Sequence, residues 1–137
     1  MATDLPTVVL IQNLKQRGLL DSTIIFCSGE FDRLPISQSS RGRDQNCHAC
    51  SLLLSDSGFK QGHVYGATDG VSDQAGENRV SVPDLHATIL HQLGLDHDRI
   101  VYNHAERDET LTDSVVTGDK VIQDVLDRPV VSSVTIM

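Results

Sequence analysis

The chain has 137 residues, of which 39% are hydrophobic and 22% charged, and its formal net charge is -8. This length fits one domain over residues 1–137, and the composition excludes a wholly disordered or collagen-like chain. The acidic balance and the scarcity of aromatic residues disfavour nucleic-acid binding, and no apolar run approaches the ~20 residues of a membrane-spanning helix. We therefore predict a globular domain without a nucleic-acid or membrane partner.

The first half of the chain predicts a helix followed by two short strands. The helix opens at Asp4, carries apolar residues at helical spacing and ends at Gly18. Residues 23–27 and 49–54 are short apolar runs, typical of strands that are buried on both faces of a parallel sheet. The segment between them, residues 28–46, is predicted to be a long polar loop, and such loops are often functional.

The second half predicts a further helix among short strands. Residues 83–93 form the clearest helix, with Ser81 or Val82 before it, Pro83 in its first turn and an inward stripe of Leu85, Ile89 and Leu93. The other elements predicted here are a short strand over 62–66, a polar loop over 67–78, a strand over 99–103, a short helix over 118–126 and an edge strand or tail over 128–137. This alternation predicts an α/β fold, with a mostly parallel sheet flanked by helices.

The cysteines are the first candidates for chemistry. Cys47 and Cys50 form a C-x-x-C pair, which can be a redox site or half of a zinc site. The pair enters a predicted strand rather than a helix, and Cys27 is the only other cysteine, so we favour small core or near-core residues. An odd number of cysteines fits a reducing compartment and favours the cytoplasm. The first residues show no signal-peptide pattern.

The loop around residues 28–48 carries carboxylates and arginines at the ends of two predicted strands. Such loops bind ligands in α/β folds, where carboxylates hold divalent cations and arginines hold oxyanions. The alternative is a solvated loop whose charged residues pair with one another, and spacing alone favours it. Four histidines in the second half, His86, His91, His97 and His104, each fit a surface or capping position better than a metal ligand.

Three segments in order resemble the C-terminal part of an uncharacterised sulfatase-like family within the alkaline phosphatase superfamily. They are residues 14–23 running into 29–35, the run Gly-Arg-Asp-Gln-Asn over 42–46, and the helix segment 82–95. The family pattern at the second segment is glycine, arginine, aspartate and histidine. The resemblance implies an alkaline phosphatase-like or sulfatase-like partial fold around a mostly parallel sheet.

The resemblance also implies a divalent metal, namely zinc, calcium or magnesium, and a set of site residues. Glu30 and Asp44 fall in the family's ligand-bearing loops, while Arg33 and Arg43 are placed to hold an anion. Gln45 stands where the family has histidine, which removes a nitrogen donor, and His48 is the candidate substitute. No nucleophile is assigned, because the family's nucleophile belongs to an earlier strand than any in this sequence.

Two functions follow as expectations. The first is a sulfatase- or phosphatase-like domain, related to metal-dependent hydrolases of sulfate or phosphate esters and inactive on its own. The second is a non-catalytic binding or oligomerisation module in which another copy of the chain, or a partner, covers an exposed sheet edge. An independent metal-dependent esterase that uses Glu30, Asp44 and His48 ranks lowest.

Overall fold

The computed structural model describes residues 3–38, 41–55 and 58–127. The chain divides between Arg79 and Val80 into two compact units. The predicted edge strand or tail over 128–137 lies outside the described residues. None of the helices described is long and apolar enough to cross a lipid bilayer.

The first unit opens with the predicted helix, α1, over Asp4–Gln16. Thr3 rather than Asp4 occupies the N-cap, and Gly18 follows the helix with a φ of +67°, a left-handed conformation that glycine adopts without strain. A 3-10 turn over Leu20–Ser22 then leads towards the first strand. No residue of α1 is fully buried, and Ile11 and Leu14 on its apolar side are half-buried.

The strands of the first unit pair antiparallel, so the predicted mostly parallel sheet is wrong. Strand β1, Ile25–Ser28, and strand β4, Leu52–Ser55, run antiparallel, with Ile25 opposite Ser55. Strands β2, Asp32–Arg33, and β3, Gln45–Asn46, form a second antiparallel pair within the predicted loop. Parallel neighbours need a long crossover that is usually helical, and the described part of segment 29–51 contains no helix.

A third small antiparallel pair completes the first unit. Strands β5, Ala67–Thr68, and β6, Ala75–Glu77, lie within the segment predicted as a polar loop, whereas the predicted strand over 62–66 is not formed. Gly66 precedes this pair with a φ of +83°, and a Cβ there would stand 3.3 Å from the carbonyl oxygens of Glu77 and Asn78. The close backbone approach therefore requires glycine at this position.

The second unit begins with the other predicted helix, α2, over Val82–Gln92. Ser81, one of the two residues predicted to precede the helix, is its N-cap and forms a capping box with Asp84. The hairpin of β7, Val101–His104, and β8, Arg107–Thr110, follows, and then come a short helix α3, Ser114–Thr117, and a 3-10 turn over Gln123–Val125. Strand β7 confirms the strand predicted over 99–103, and α3 was not predicted.

The buried side chains are few and differ from the predicted apolar stripe. Ile25 and Phe59 are buried in the first unit, and Ala87, Ile122 and Leu126 in the second. On α2 the buried residues are Asp84, Ala87 and Thr88, while Leu93 remains 56% exposed. The helix thus turns a partly polar face inward, because Asp84 and Thr88 have hydrogen-bond partners there.

Candidate functional site

Two of the predicted site residues, Arg33 and Asp44, make hydrogen bonds within the loop around β2 and β3. The Asp44 carboxylate accepts the backbone N–H of Gln38 at 2.9 Å, and the Asp44 carbonyl accepts the N–H of Leu34 at 2.9 Å. Arg33 Nη1 donates to the carbonyl oxygen of Arg43 at 3.1 Å. These bonds join the two sides of the hairpin, so Arg33 and Asp44 have structural partners before any ligand is considered.

The three residues predicted as metal ligands do not form a common group. Glu30 is exposed beside β1, Asp44 bonds Gln38, and His48 contacts its neighbour Cys47. Within residues 3–38, 41–55 and 58–127, no group of three His, Cys, Asp or Glu side chains is arranged to hold a metal ion. Metal binding by Glu30, Asp44 and His48 stays a prediction.

The cysteines are all exposed, so the predicted core or near-core role is wrong. The pattern suggested burial because Cys27 and the residues after Cys50 lie in short apolar runs. In the structure these runs form a two-stranded ribbon, which has no second layer in the described unit to bury both of its faces.

A polar cluster in the second unit was not predicted as a site. Its centre is His97 Nδ1, which lies 3.1 Å from Asp119 Oδ2, 3.2 Å from Thr112 Oγ1 and 3.5 Å from Ser114 Oγ. Side-chain exposure is 15% for His97 and 0% for Asp119. Ser114 Oγ also makes a short hydrogen bond to Asp98. The cluster thus gathers one imidazole, two carboxylates and two hydroxyls.

Hydrogen bonds stabilise the charged form of the buried carboxylate in this cluster. Burial alone raises the pKa of Asp119, but hydrogen bonds from Ser114, Thr117 and Thr112 and the charge of His97 outweigh burial and lower it. Thr117 Oγ1 donates to Asp119 Oδ1 at 2.9 Å. The carboxylate therefore stays ionised at neutral pH.

The geometry of the cluster does not match a serine-hydrolase relay. In such a relay the carboxylate contacts one ring nitrogen of histidine and the nucleophilic hydroxyl contacts the other. Here Asp119, Ser114 and Thr112 all approach the same nitrogen, Nδ1. The arrangement is that of a buried imidazole–carboxylate contact surrounded by hydroxyl groups.

A shallow depression of about 450 Å³ adjoins the cluster. It is open to solvent and is lined by Asp98, Asp108, Thr110, Asp113, Ser114 and Val115. Its three carboxylates make it acidic, and it shares Asp98 and Ser114 with the cluster. No sequence motif pointed to this region, in which Asp98 meets residues of the later segment 108–115.

Asp84 forms a second buried polar junction in the same unit. Its Oδ2 accepts the N–H of Ser81 and its Oδ1 accepts the N–H of Lys120, each at 2.9 Å. Burial alone raises the pKa of Asp84, but the hydrogen bonds from Ser81 and Lys120 and the charge of Lys120 outweigh burial, so the pKa lies below its ordinary value. The contact with Ser81 lies at the start of α2, whereas the contact with Lys120 had no signal in the sequence.

The described residues form a protein of mixed α and β content with antiparallel strand pairs. The chain belongs to the family described as a protein of unknown function, DUF1501, which matches residues 1–126. No curated protein and no solved structure matches the chain.

Proposed function

We propose that the chain is a sulfatase- or phosphatase-like domain, related to metal-dependent hydrolases of sulfate or phosphate esters, that is inactive by itself. The relationship is supported by the order of the three segments that resemble such enzymes, above all Gly42-Arg43-Asp44. The inactivity is supported by one observation above the others. The residues that the resemblance assigns to metal binding, Glu30, Asp44 and His48, do not converge in the part of the chain that the structure describes.

Hydrolysis of such esters needs groups that stabilise the charge developing on the transferred group. A carboxylate that accepts a backbone N–H still has lone pairs for a cation, and a guanidinium has further donors. What this loop does not bring to Asp44 is a set of converging side chains, because Glu30 and His48 have separate surroundings. The chain therefore retains elements of an ester-binding loop without a complete reaction centre.

The experiment is turnover of p-nitrophenyl sulfate and p-nitrophenyl phosphate with added zinc, calcium or magnesium. We expect the wild type to match Asp44→Ala and Arg33→Ala, with no turnover above that of the buffer with the same metal. Glu77→Gln serves as a charge-matched control away from the loop. Turnover by the wild type that Asp44→Ala lowers and Glu77→Gln leaves unchanged would contradict the proposal.

The alternative is an oligomerisation module, and the β1–β4 ribbon favours it. Phe26, Leu52 and Leu53 are 49%, 39% and 46% exposed on this ribbon. Among the residues that the structure describes, each of its two strands pairs only with the other, so each has an outer edge that a strand of another copy can extend. Under this alternative the partner is a second copy of the chain.

Sedimentation velocity over a range of concentrations tests the alternative. Self-association through the ribbon predicts that Leu53→Lys shifts the protein to monomer, whereas the matched control Val64→Lys, at an exposed loop position, does not. A wild type that stays monomeric at the highest concentration would refute it.

A further inference from the structure

The C-x-x-C pair is exposed on the first unit, so its thiols are accessible to reagents in solution. Cys47 and Cys50 are both free thiols at the surface, so neither has a packing role that explains its presence. Exposed thiols that are three residues apart can react with one another and with reagents in solution.

The loop that carries the pair is held at its base by a buried side chain. Asn46 is 2% exposed; its Oδ1 accepts the N–H of His48 at 2.8 Å, and its Nδ2 donates to the carbonyl of Asp73 at 2.9 Å. The carbonyl of His48 accepts the N–H of Ala75 at 3.2 Å. The chain bends at Cys47 and His48, directly after this anchor. A bend of this kind shortens the distance between residues three apart, as a disulfide requires.

Each sulfur has only weak partners. Cys47 Sγ lies 3.7 Å from His48 Nε2, and Cys50 Sγ lies 3.6 Å from Ser28 Oγ and 3.9 Å from the carbonyl oxygen of Gly29. Because a thiol is a weak donor and a weak acceptor, breaking these contacts costs little. Neither thiol is therefore held by a strong partner that a disulfide would have to displace.

We propose that Cys47 and Cys50 form a reversible dithiol–disulfide site that exchanges with small disulfides of the glutathione class. The thiolate of one cysteine attacks a sulfur of the small disulfide, whose S–S bond breaks and releases one small thiolate. The thiolate of the second cysteine then attacks this mixed disulfide, forms the Cys47–Cys50 bond and releases the second small thiolate. The two protein thiols lose two electrons to the small disulfide, and their two protons pass through solvent to the released thiolates.

The test is mass spectrometry of the full chain after incubation with oxidised glutathione, followed by peptide mapping under non-reducing conditions. We expect the wild type to lose two hydrogen atoms and to give a Cys47–Cys50 bridge that reduced glutathione reverses. Cys50→Ser and Cys47→Ser should each stop at the mixed disulfide and accumulate at least about 10-fold more of it than the wild type, because the second step is missing. Cys27→Ser is the matched control and should behave as the wild type. Circular dichroism checks that each variant keeps its secondary structure.

Two results would overturn the proposal. One is a wild type that carries glutathione on Cys47 or Cys50 without forming the bridge, since the pair would then be two independent thiols. The other is a bridge that contains Cys27, because the anchored loop would then not determine the pairing.

Discussion

Replacing Asp84 with alanine removes the acceptor of two backbone N–H groups, the more distant of which lies 36 residues from Asp84 in sequence. One is the N–H of Ser81 at the start of α2, and the other is the N–H of Lys120 after α3. Asp84 is 8% exposed, so solvent replaces these bonds poorly when the carboxylate is lost. The substitution should therefore destabilise both the start of α2 at Ser81 and the segment around Lys120.

The magnitude follows from the kinds of bond that are lost. An N-cap interaction is worth about 1 kcal/mol, and a hydrogen bond to a charged group about 1.5–3 kcal/mol. Because Ser81 and Lys120 are themselves exposed, we take the lower end for each, which gives about 3 kcal/mol for Asp84→Ala. Asp84→Asn keeps one carbonyl oxygen and should lose about half of this. Ser81→Ala removes only the cap and should lose about 1 kcal/mol.

Hydrogen exchange followed by mass spectrometry measures this loss where it occurs. A loss of 3 kcal/mol corresponds to roughly 100-fold faster exchange in the peptide containing Lys120, if that amide exchanges through opening of the junction. Asp127→Asn is the control, since Asp127 is an exposed carboxylate of the same unit. The reasoning is refuted if Asp84→Ala exchanges as slowly as this control, or if Ser81→Ala speeds exchange at Lys120 as much as Asp84→Ala does.

Three further predictions concern the buried polar groups. The pKa values of Asp84 and Asp119 are lowered on folding, so both stabilise the fold fully above the ordinary value of 3.8 and lose this effect as pH falls through the folded values. Urea unfolding followed by circular dichroism should therefore show stability falling in acid, and less steeply in Asp119→Asn. Thr88 Oγ1 donates to the Asp84 carbonyl at 2.7 Å and accepts the N–H of Ile122 at 3.0 Å. Thr88→Val should lower the free energy of unfolding by about 2 kcal/mol in the same assay, whereas Thr88→Ser should keep most of it. Asn46→Ala should cost about 2 kcal/mol and speed amide exchange in peptides of 45–50 and 67–77; unchanged exchange there would contradict its anchoring role.

The helices could be predicted from the sequence because their signals are local. Both α1 and α2 carry apolar residues at helical spacing, and Ser81 with Asp84 marks the start of α2 within four residues. The short apolar runs were recognised as strands, but their pairing was not. A run such as residues 52–55 has the same composition in a parallel sheet and in an antiparallel ribbon, and only the connection between strands distinguishes them.

The polar clusters could not be predicted from sequence patterns for a related reason. His97 and Asp119 lie 22 residues apart and meet only because the β7–β8 hairpin and α3 fold back between them. A histidine and an aspartate at this spacing in a sequence do not by themselves indicate a contact. Asp84 lies at the start of a helix, where a negative charge is favourable, but its contact with Lys120 depends on where the later part of the chain folds back. Sequence spacing identifies contacts within one helix or strand. It does not identify contacts between residues that are distant in sequence and meet only in the folded chain.

The separate antiparallel pairs have a consequence for the order of folding. The β7–β8 pair joins neighbouring segments through Ala105 and Glu106, and a hairpin of this kind closes within about 1–10 μs. The β1–β4 ribbon instead joins segments on either side of residues 29–51, so a long loop must close before its first contact forms. The β7–β8 hairpin of the second unit can thus form early, whereas the β1–β4 pair of the first unit forms only after two distant segments meet. Until β1 and β4 pair, their apolar residues are exposed to solvent and to other chains. This slow pairing is therefore the folding step most sensitive to protein concentration.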